Sequence, residues 1–487
     1  MRNTNRRQTG ITGILALALL VLVLAPSIGQ QSPEKRIARI EQGLLPPVRV
    51  KGRTYLPATL AERMRQHQVP AISIAVVNDG KIEWAKAYGQ ADVESGRSAT
   101  TATLFQAASI SKPVAVTATL QLVQEGALLL DEDVNVKLRS WKLPANDFTA
   151  KKPVTLRAIV SHTAGLTVHG FPGYAANAAL PTVVQILNGE SPANTRPVRV
   201  DVEPGTIWRY AGGGTTVMQL LLTDVTGKAF PQLMRERVLE RAGMTASTYE
   251  QPLPAERAPQ AATGYRSGAR PIAGRFHTYP EMAAAGLWTT PTDLAKWMIE
   301  VQRAARGTSE KMISRRTAEL MLTPVLGGWG LGATLSGSGD TLRFGHGGAN
   351  EGFRAHVLGF AHRGQGVAIM TNSDNGGPLI QEVLAAIFQE YGWSGSGSRE
   401  IVPIALEAQA LREYAGRYSV GATPQTVTLD LRDGALWAAL NGTTFELVPT
   451  GRDEFFALGA GPVRFERRTD GNVGTLVLGG ARLTRAN

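Results

Sequence analysis

The alternation of apolar and polar positions first becomes regular between Ala71 and Gly89. Two runs rich in apolar residues, AISIAVV and KIEWAKAYG, lie on either side of Asn78-Asp79-Gly80. An Asp-Gly pair between such runs is a strong short-range signal for a β-hairpin. The pattern therefore predicts two antiparallel strands and the beginning of a sheet.

A helical period replaces this alternation at Ser109. The positions that recur at near-helical spacing are Val114, Thr117, Leu120, Gln121 and Val123. Because the pattern stops at Gly126, it predicts a helix over residues 109–125. Pro113 is compatible only with the first turn of that helix. Ser109 is therefore expected at or beside the helix N-terminus, with Lys112 one turn further along the same face.

Alternating strands return after a Gly/Ser-rich run at residues 392–398. The stretches QTVTLDLRDGALWAALNGTTFELVP and VRFERRTDGNVGTLVLGGARLTR are interrupted at Asp433-Gly434, Asn441-Gly442 and Asp470-Gly471, which are typical hairpin turns. We interpret residues 392–400 as a linker. Residues 401–487 are predicted to form a small antiparallel sheet or barrel without chemistry of its own.

The first 29 residues have the pattern of a secretory signal peptide. Arg2, Arg6 and Arg7 precede an apolar run from about Ile14 to Ala25, and small residues follow. The pattern predicts an exported protein, periplasmic or extracellular. An uncleaved membrane anchor is the alternative, although the run is shorter than the ~20 residues that a span needs.

Composition and charge exclude several other classes of protein. The formal net charge of +11 falls to +8 without the three leader arginines, which is mild for 487 residues. Basic clusters such as Arg235–Arg241 alternate with acidic residues, as on a solvated helix face, so a nucleic-acid partner is not expected. The absence of cysteine excludes disulfides, a lipoprotein anchor and a thiol nucleophile.

The candidate chemistry lies in the S-x-x-K sequence of Ser109 and Lys112. The same spacing occurs at Ser32 and Lys35 in a polar segment, so spacing alone proves nothing. At a helix N-terminus, however, backbone N–H groups stabilise a developing oxyanion, and a buried lysine can accept the serine proton. Taken alone, these two residues are equally compatible with a capping serine and a solvated lysine.

Three elements in chain order resemble the serine β-lactamase and penicillin-binding protein family, specifically its class C, D-Ala-D-Ala carboxypeptidase and esterase branch. They are S-x-x-K at Ser109 and Lys112, a Y-x-N-type loop in WRYAGGG with Tyr210, and H-x-G in FGHGGANEGFRAHVLGF with His346, Gly347 and Gly348. The stretches SHTAGL and AAGLWTTPTDLAKW support the resemblance, which spans roughly residues 56–391.

The resemblance implies an α+β fold for residues 30–391, with an antiparallel sheet flanked by helices and an all-helical subdomain. The C-terminal region resembles the lipocalin-like β domain of some family members. The family arrangement further implies that Ser109 attacks a carbonyl while Lys112 and Tyr210 share the roles of base and acid. Which of these two residues accepts the proton stays open.

The resemblance also implies the groups that contact the substrate. The backbone N–H groups of Ser109 and Ala349 would form the oxyanion hole, and Gly212, His346, Gly347 and Gly348 would line the substrate site. Neither a metal nor a cofactor is implied.

One departure from the family pattern bears on the substrate. Gly212 stands where much of the family has an asparagine that offers its amide to the substrate. Its loss disfavours β-lactam or peptide cleavage and leaves ester cleavage less affected. His346 replaces a lysine and is less suited to bind a substrate carboxylate. A positive φ at Gly212 would be a separate reason for glycine there.

Other residue patterns in the sequence give weaker candidates for a catalytic site. The seven histidines include no H-E-x-x-H pattern, which argues against a zinc hydrolase, and no G-x-S-x-G elbow is present. The adjacent Ser161 and His162 are predicted to form a buried turn and not a catalytic dyad. Residues 169–181 are rich in Gly, Pro and aromatics and form either a lid over the site or an ordinary surface loop.

We therefore expect an exported serine hydrolase that acts through an acyl-enzyme on carboxylic esters or related acyl donors. A class C-type β-lactamase, D-Ala-D-Ala carboxypeptidase or D-aminopeptidase is the first alternative, and a non-catalytic cell-wall or peptide-binding relative is the second. The expected partners are small-molecule ester, β-lactam or peptide substrates, with membrane contact only if the leader is uncleaved. The oligomeric state is not predicted.

Overall fold

The computed structural model describes residues 32–395, 398–419, 426–440, 443–479 and 481–486. The predicted leader and the Asn441-Gly442 turn lie outside these residues. Within them, no helix combines the length and the apolar character that crossing a membrane requires.

Strands and helices alternate irregularly along the chain. The strands are β1 Val48–Val50, β2 Ala71–Asn78, β3 Lys81–Asp92, β4 Arg97–Ser98, β5 Phe105–Gln106, β6 Tyr265–Arg266, β7 Arg270–Pro271, β8 Trp288–Thr289, β9 Thr334–Ser336, β10 Arg343–Asn350, β11 Phe353–Phe360, β12 Gly366–Thr371, β13 Arg399–Ile401, β14 Gly416–Ser419, β15 Thr426–Arg432, β16 Ala435–Leu440, β17 Thr443–Gly451, β18 Glu454–Ala457, β19 Gly461–Arg467, β20 Val473–Leu478 and β21 Ala481–Arg485. The helices are α1 Pro33–Gln42, α2 Leu60–His67, α3 Ser111–Gln124, α4 Val134–Lys137, α5 Asp147–Lys151, α6 Leu156–Val160, α7 Val183–Asn188, α8 Gly212–Thr226, α9 Phe230–Met234, α10 Glu240–Ala242, α11 Met282–Ala285, α12 Pro291–Ala305, α13 Arg315–Met321, α14 Gly376–Tyr391 and α15 Ala408–Arg412.

The central element is a seven-stranded antiparallel sheet in the order β4-β3-β2-β12-β11-β10-β9. The predicted hairpin is confirmed as β2 and β3, which pair from Ala71 opposite Gly89 to Asn78 opposite Lys81. Asp79 and Gly80 both have positive φ angles, 52° and 70°. These angles suit the type I′ turn that matches the twist of the two strands.

Two apolar layers cover the faces of this sheet. One layer contains α1, α2 and α14, whose buried side chains pack with those of β2 and β12. The other contains α12, which packs on β2 and β12 and joins α3 and α8 in the larger core. The fold is therefore the expected α+β arrangement of an antiparallel sheet flanked by helices.

The helix predicted over residues 109–125 is present, with a different first turn. A 3₁₀ turn, Ala108–Ile110, precedes α3, so Pro113 lies in the first turn of the α-helix, where its missing N–H has no cost. Every side chain from Ser111 to Leu122 is buried. Helix α3 is thus enclosed on all sides, and this burial fixes the direction of the side chains at its N-terminus.

The C-terminal domain is a closed antiparallel barrel of β14 to β21, in which each strand pairs with the next and β14 pairs with β21. Its interior is filled by apolar side chains such as Tyr418, Phe455 and Phe465. Asp433 and Gly434 form a hairpin turn with positive φ angles, as predicted. The predicted small antiparallel β domain is therefore confirmed.

Noncovalent contacts, in addition to the covalent chain, attach the barrel to the rest of the molecule. Strand β1 pairs in parallel with β13. Val50 and Ile401 from these strands form an apolar cluster with Val448 and Phe456 of the barrel. Arg53 also forms an ion pair with Glu446. These contacts hold the barrel against the pair β1–β13.

Candidate active site

Ser109 lies in the 3₁₀ turn at the start of α3 and is half-buried. The residue before it, Ala108, has a positive φ of 50°, which is costly for a residue with a Cβ. Ser111 holds this conformation, because its hydroxyl donates to Ala108 O and accepts from the N–H of Leu287 at 3.0 Å. Local strain of this kind is typical of functional sites.

Lys112 is buried beside Ser109. Its Nζ lies 3.0 Å from Ser109 Oγ and 2.8 Å from the carbonyl oxygen of Ala284. Burial lowers the pKa of Lys112 to about 7. Near neutral pH a large fraction of this amine is therefore uncharged and can accept a proton from the serine hydroxyl.

Tyr210 precedes α8, and its ring centroid lies 5.0 Å from Lys112 Nζ. Burial raises the pKa of Tyr210, and the nearby Ser109 hydroxyl opposes part of this rise. Among the described residues, no group is placed to make a hydrogen bond of normal geometry with its hydroxyl. Because its pKa is raised, the phenol is neutral at pH 7 and can donate its proton.

Strand β10 carries the H-x-G motif of His346, Gly347 and Gly348, and this part of the strand lies at an edge of the sheet. Strand β9 pairs with Arg343 to Gly345, and from His346 onward none of the described strands lies beside β10 on that side. Gly345 O accepts a hydrogen bond of 2.8 Å from Thr334 of β9. Because backbone direction alternates along a strand, the N–H of Ala349 points toward the same edge, which faces the turn of Ser109.

The two glycines on this edge have different surroundings. A Cβ on Gly348 would lie 2.2 Å from the carbonyl oxygen of Ala107, so only glycine allows β10 to approach the 3₁₀ turn this closely. A Cβ on Gly347 would meet no atom within 4 Å. Gly347 therefore faces open space in the cavity, whereas Gly348 makes the close packing of the strand possible.

His346 is buried behind Tyr210, with ring centroids 6.0 Å apart. Burial, assisted by the charge of Lys112, lowers the pKa of His346 to about 3. Its Nδ1 contacts Gly347 O, and its Nε2 has no partner among the described residues. His346 is accordingly a neutral ring that can offer one polar atom, and it carries no charge at neutral pH.

These residues surround one cavity of about 430 Å³. Its lining includes Ser109, Lys112, Tyr210, His346, Gly347 and Ala349. The structure thus brings together six of the eight predicted site residues. Gly212 and Gly348 do not line the cavity. They pack instead against neighbouring segments, Gly212 against His169 and Phe171 and Gly348 against Ala107.

Gly212 does not have a positive φ, so backbone conformation is not the reason for glycine there. Its N–H donates to His169 O at 3.0 Å. A Cβ on Gly212 would lie 3.1 Å from both His169 O and the ring of Phe171. The segment 169–171 therefore occupies the space into which an asparagine side chain would project.

The loop predicted at residues 169–181 has two parts. Its first three residues line the cavity, and residues 175–180 are exposed. The predicted buried turn at Ser161 and His162 is confirmed. The Ser161 hydroxyl bonds to Arg157 O and Thr163 and not to His162, so these two residues do not form a dyad.

The sequence interpretation missed two residues that shape the site. His162 Nδ1 accepts from the N–H of Ala211 at 3.3 Å, and its ring packs at a tilt against Tyr210, with centroids 4.3 Å apart. Asn350 lines the cavity and donates to Gln106 at 2.8 Å and to Ala285 O at 3.1 Å. Both lie inside motifs that were recognised, but only the packing shows which neighbours they touch.

The antiparallel sheet, the serine at the start of a buried helix and the lysine one turn later are the arrangement typical of the β-lactamase and penicillin-binding protein type, a family of serine hydrolases. The chain matches the family model described as Beta-lactamase over residues 56–390. It therefore belongs to the β-lactamase family.

Two curated relatives illustrate its similarities. The chain is 23% identical over 327 residues to Protein flp of Staphylococcus aureus strain MW2, covering 63% of this chain and 61% of that protein. It is 26% identical over 334 residues to a D-aminopeptidase of Gluconobacter oxydans strain 621H, covering 65% and 58%. The chain thus matches only about three fifths of the length of these relatives.

Solved structures show the same fold. The octameric penicillin-binding protein homologue from Pyrococcus abyssi superposes with a TM-score of 0.60 at 22% identity, covering 88% of this chain and 98% of that chain. SurE gives a TM-score of 0.57 at 22% identity, covering 88% and 97%. At this level of identity the likeness concerns the fold alone.

Proposed function

We propose that the protein is an exported serine hydrolase that forms an acyl-enzyme at Ser109 and hydrolyses carboxylic esters. The observation that carries this proposal is the 3.0 Å contact between Ser109 Oγ and the buried Nζ of Lys112. A lysine whose pKa is lowered to about 7 is a competent base for a serine hydroxyl at neutral pH.

The reaction would proceed in two half-reactions. Neutral Lys112 accepts the proton of Ser109 as Oγ bonds to the ester carbonyl carbon, and the N–H groups of Ser109 and Ala349 stabilise the oxyanion. The C–O bond to the alcohol then breaks, and Lys112 or Tyr210 protonates the departing oxygen. A water molecule attacks the acyl-enzyme with the same groups acting in reverse, which releases the acid.

The character of the cavity supports a neutral ester as substrate. Among the described residues that line it, Lys112 is the only lysine or arginine, and no aspartate or glutamate is present. His346, with its pKa lowered to about 3, adds no positive charge. The cavity thus offers neither a cation for a substrate carboxylate nor an anion for a substrate amine beyond the catalytic groups themselves.

Kinetics with three substrate classes would test this proposal. We expect p-nitrophenyl acetate to be hydrolysed with a kcat/KM at least ~10²-fold above that for a chromogenic cephalosporin or a D-alanine anilide. Intact-mass spectrometry should show one acyl adduct on the wild type and on Ser32→Ala, and none on Ser109→Ala. A wild-type enzyme that prefers the cephalosporin would replace the esterase with the β-lactamase alternative. Labelling of Ser109→Ala at the wild-type rate would remove Ser109 as nucleophile.

Export is proposed from the leader sequence, and its test is separate. Fractionation of cells that express the full chain should place the protein outside the cytoplasm, with an N-terminus near residue 30. A protein that keeps residues 1–29 and sediments with membranes would identify the leader as an anchor.

A further inference from the structure

A second cavity, of about 510 Å³, has Val325 and Leu326 in its wall and lies next to the catalytic cavity. The segment that leads to Tyr210 connects the two, because Gly205 lines the second cavity and Trp208 lines the first. On the opposite side, a Cβ at Gly327 would lie 2.8 Å from Cγ of Trp208. Trp208 and the turn that follows Leu326 are therefore in contact.

Four large apolar side chains are exposed near the two cavities, whereas other parts of the second cavity's wall are charged through Asp131, Lys152 and Arg157. Ile207, Trp208, Val325 and Leu326 are 41%, 37%, 39% and 39% exposed. We call these four residues the apolar strip. Large hydrophobic side chains that are exposed singly need no explanation, but a contiguous group beside a catalytic cavity indicates a binding surface.

Aromatic packing connects the apolar strip to the catalytic groups. Trp208 stacks on the buried Trp329 at 5.6 Å between ring centroids. Trp329 in turn lies edge-on to Tyr210 at 5.7 Å and to His346 at 5.3 Å. Because Lys112 or Tyr210 protonates the departing oxygen, the leaving group lies on their side of the scissile bond. The apolar strip therefore begins where the alcohol portion of an ester would leave the catalytic cavity.

We propose that the apolar strip is a leaving-group subsite, and that the preferred substrates are esters of alcohols with an aliphatic chain. The proposal rests on the proposed ester hydrolysis and specifies its substrate class. The alkoxy chain extends over Trp208 toward Val325 and Leu326. In the acylation step the Ser109 Oγ–carbonyl bond forms, the carbonyl–alkoxy bond breaks, and the serine proton ends on the released alcohol.

A series of primary alkyl acetates would test the subsite, because ethyl, butyl and hexyl acetate have the same acyl group and leaving alcohols of similar basicity. Acetic acid release can be followed in a pH-stat. Burial of one methylene changes an equilibrium by about 4-fold, so we expect kcat/KM to rise at least ~30-fold from ethyl to hexyl acetate. Lengthening the acyl chain in ethyl esters should give a clearly smaller rise.

Leu326→Ser should reduce the hexyl-to-ethyl ratio of kcat/KM by ~10-fold, mainly through KM. Leu320→Ser is the matched control, since Leu320 of α13 is 37% exposed but lies on neither cavity wall. It should leave the ratio unchanged. Because Leu326 is exposed, thermal unfolding of both variants should match the wild type.

Three results would overturn the proposal: no rise with alcohol length, a rise that survives Leu326→Ser, or an equal Leu326-dependent rise with acyl length. Hydrolysis of p-nitrophenyl acetate shows whether the subsite proposal alone has failed or whether the proposed ester hydrolysis has failed as well. If p-nitrophenyl acetate turns over while the alkyl series stays flat, only the subsite is wrong. If no ester is hydrolysed and no adduct forms, both proposals fail.

Discussion

Lys112 and Tyr210 respond to the same burial in opposite directions. Burial disfavours the charged form of any group, so it lowers the pKa of Lys112 to about 7 and raises the pKa of Tyr210. At neutral pH the amine is accordingly the better proton acceptor and the phenol a proton donor. The two residues form a unit in which one proton can move between Ser109, the lysine and the leaving group.

A double-mutant cycle would test this unit. Lys112→Ala and Tyr210→Phe should each lower kcat for p-nitrophenyl acetate by ~10²-fold or more, because each removes a partner in proton transfer. The double variant should lose far less than the product of the two single effects. Additive effects would indicate that the two side chains act independently.

The lowered pKa of Lys112 also predicts a pH dependence. Only the uncharged amine can accept the serine proton, so kcat/KM for a neutral ester should rise about tenfold per pH unit below 7 and level off above it. The apparent pKa near 7 belongs to the coupled group of Ser109, Lys112 and Tyr210. Because the pKa of Tyr210 is raised, no descending limb is expected below pH 9. A profile that is flat from pH 5 to 9 would contradict this assignment of the base.

At the residue scale, the sequence predicted which residues form the site better than it predicted the neighbours that surround each of them. The resemblance of three motifs to a known family was enough to select Ser109, Lys112, Tyr210 and His346 as neighbours in space. The packing of His162 against Tyr210 and the hydrogen bonds of Asn350 were not predictable, because they depend on segments that are distant in sequence. The reason for glycine at position 212 likewise appears only in the packing against Phe171.

At the scale of elements, the site depends on how closely β10 approaches the 3₁₀ turn before α3. Gly348 sits against the backbone of Ala107, and this contact places the edge of β10 opposite Ser109. The hairpin β2–β3 and helix α3 were predictable, because their patterns are local. The order of strands in the sheet was not, since β2 lies between β3 and β12, which begins nearly 300 residues later.

Two neighbouring glycines give a matched test of this approach. Gly348→Ala places a Cβ against a backbone oxygen that cannot move alone, so it should lower the free energy of unfolding by ~1–3 kcal/mol. It should also slow acylation of Ser109. Gly347→Ala puts the same methyl group into open space and should change the free energy of unfolding by less than ~0.5 kcal/mol. Denaturant unfolding measures both, and equal effects would show that the close contact is not decisive.

At the scale of the whole molecule, the catalytic cavity and the barrel are separate. All the residues that line the cavity lie between Ser109 and Asn350. The barrel instead packs on the pair β1–β13 through the cluster that contains Val448 and Phe456. The sequence predicted a small β domain from its alternating strands, but it held no sign that β1, far upstream, would be part of its docking surface.

Val448→Asp would test this separation, because it places a charge in the docking cluster, where Val448 is 2% exposed. We expect a loss of ~3 kcal/mol or more in stability, seen as a lower Tm and faster proteolysis of the barrel. The kcat/KM for a short ester should stay within about 2-fold of the wild type. Val402→Asp is the control, since Val402 is 58% exposed on the segment after β13. Parallel losses of activity and stability would show that the barrel supports the cavity.

The parallel pair β1–β13 also has a topological consequence. Val48 of β1 lies beside Arg399 of β13. Arg39 of α1 likewise contacts Glu390 of α14 at 2.8 Å. The chain therefore leaves the α+β core next to the point where it enters. Adjacent entry and exit points are the condition under which one domain can be inserted into a surface loop of another without distorting either. The core therefore has the geometry of a self-contained cassette, which an unrelated host protein could carry as an insertion.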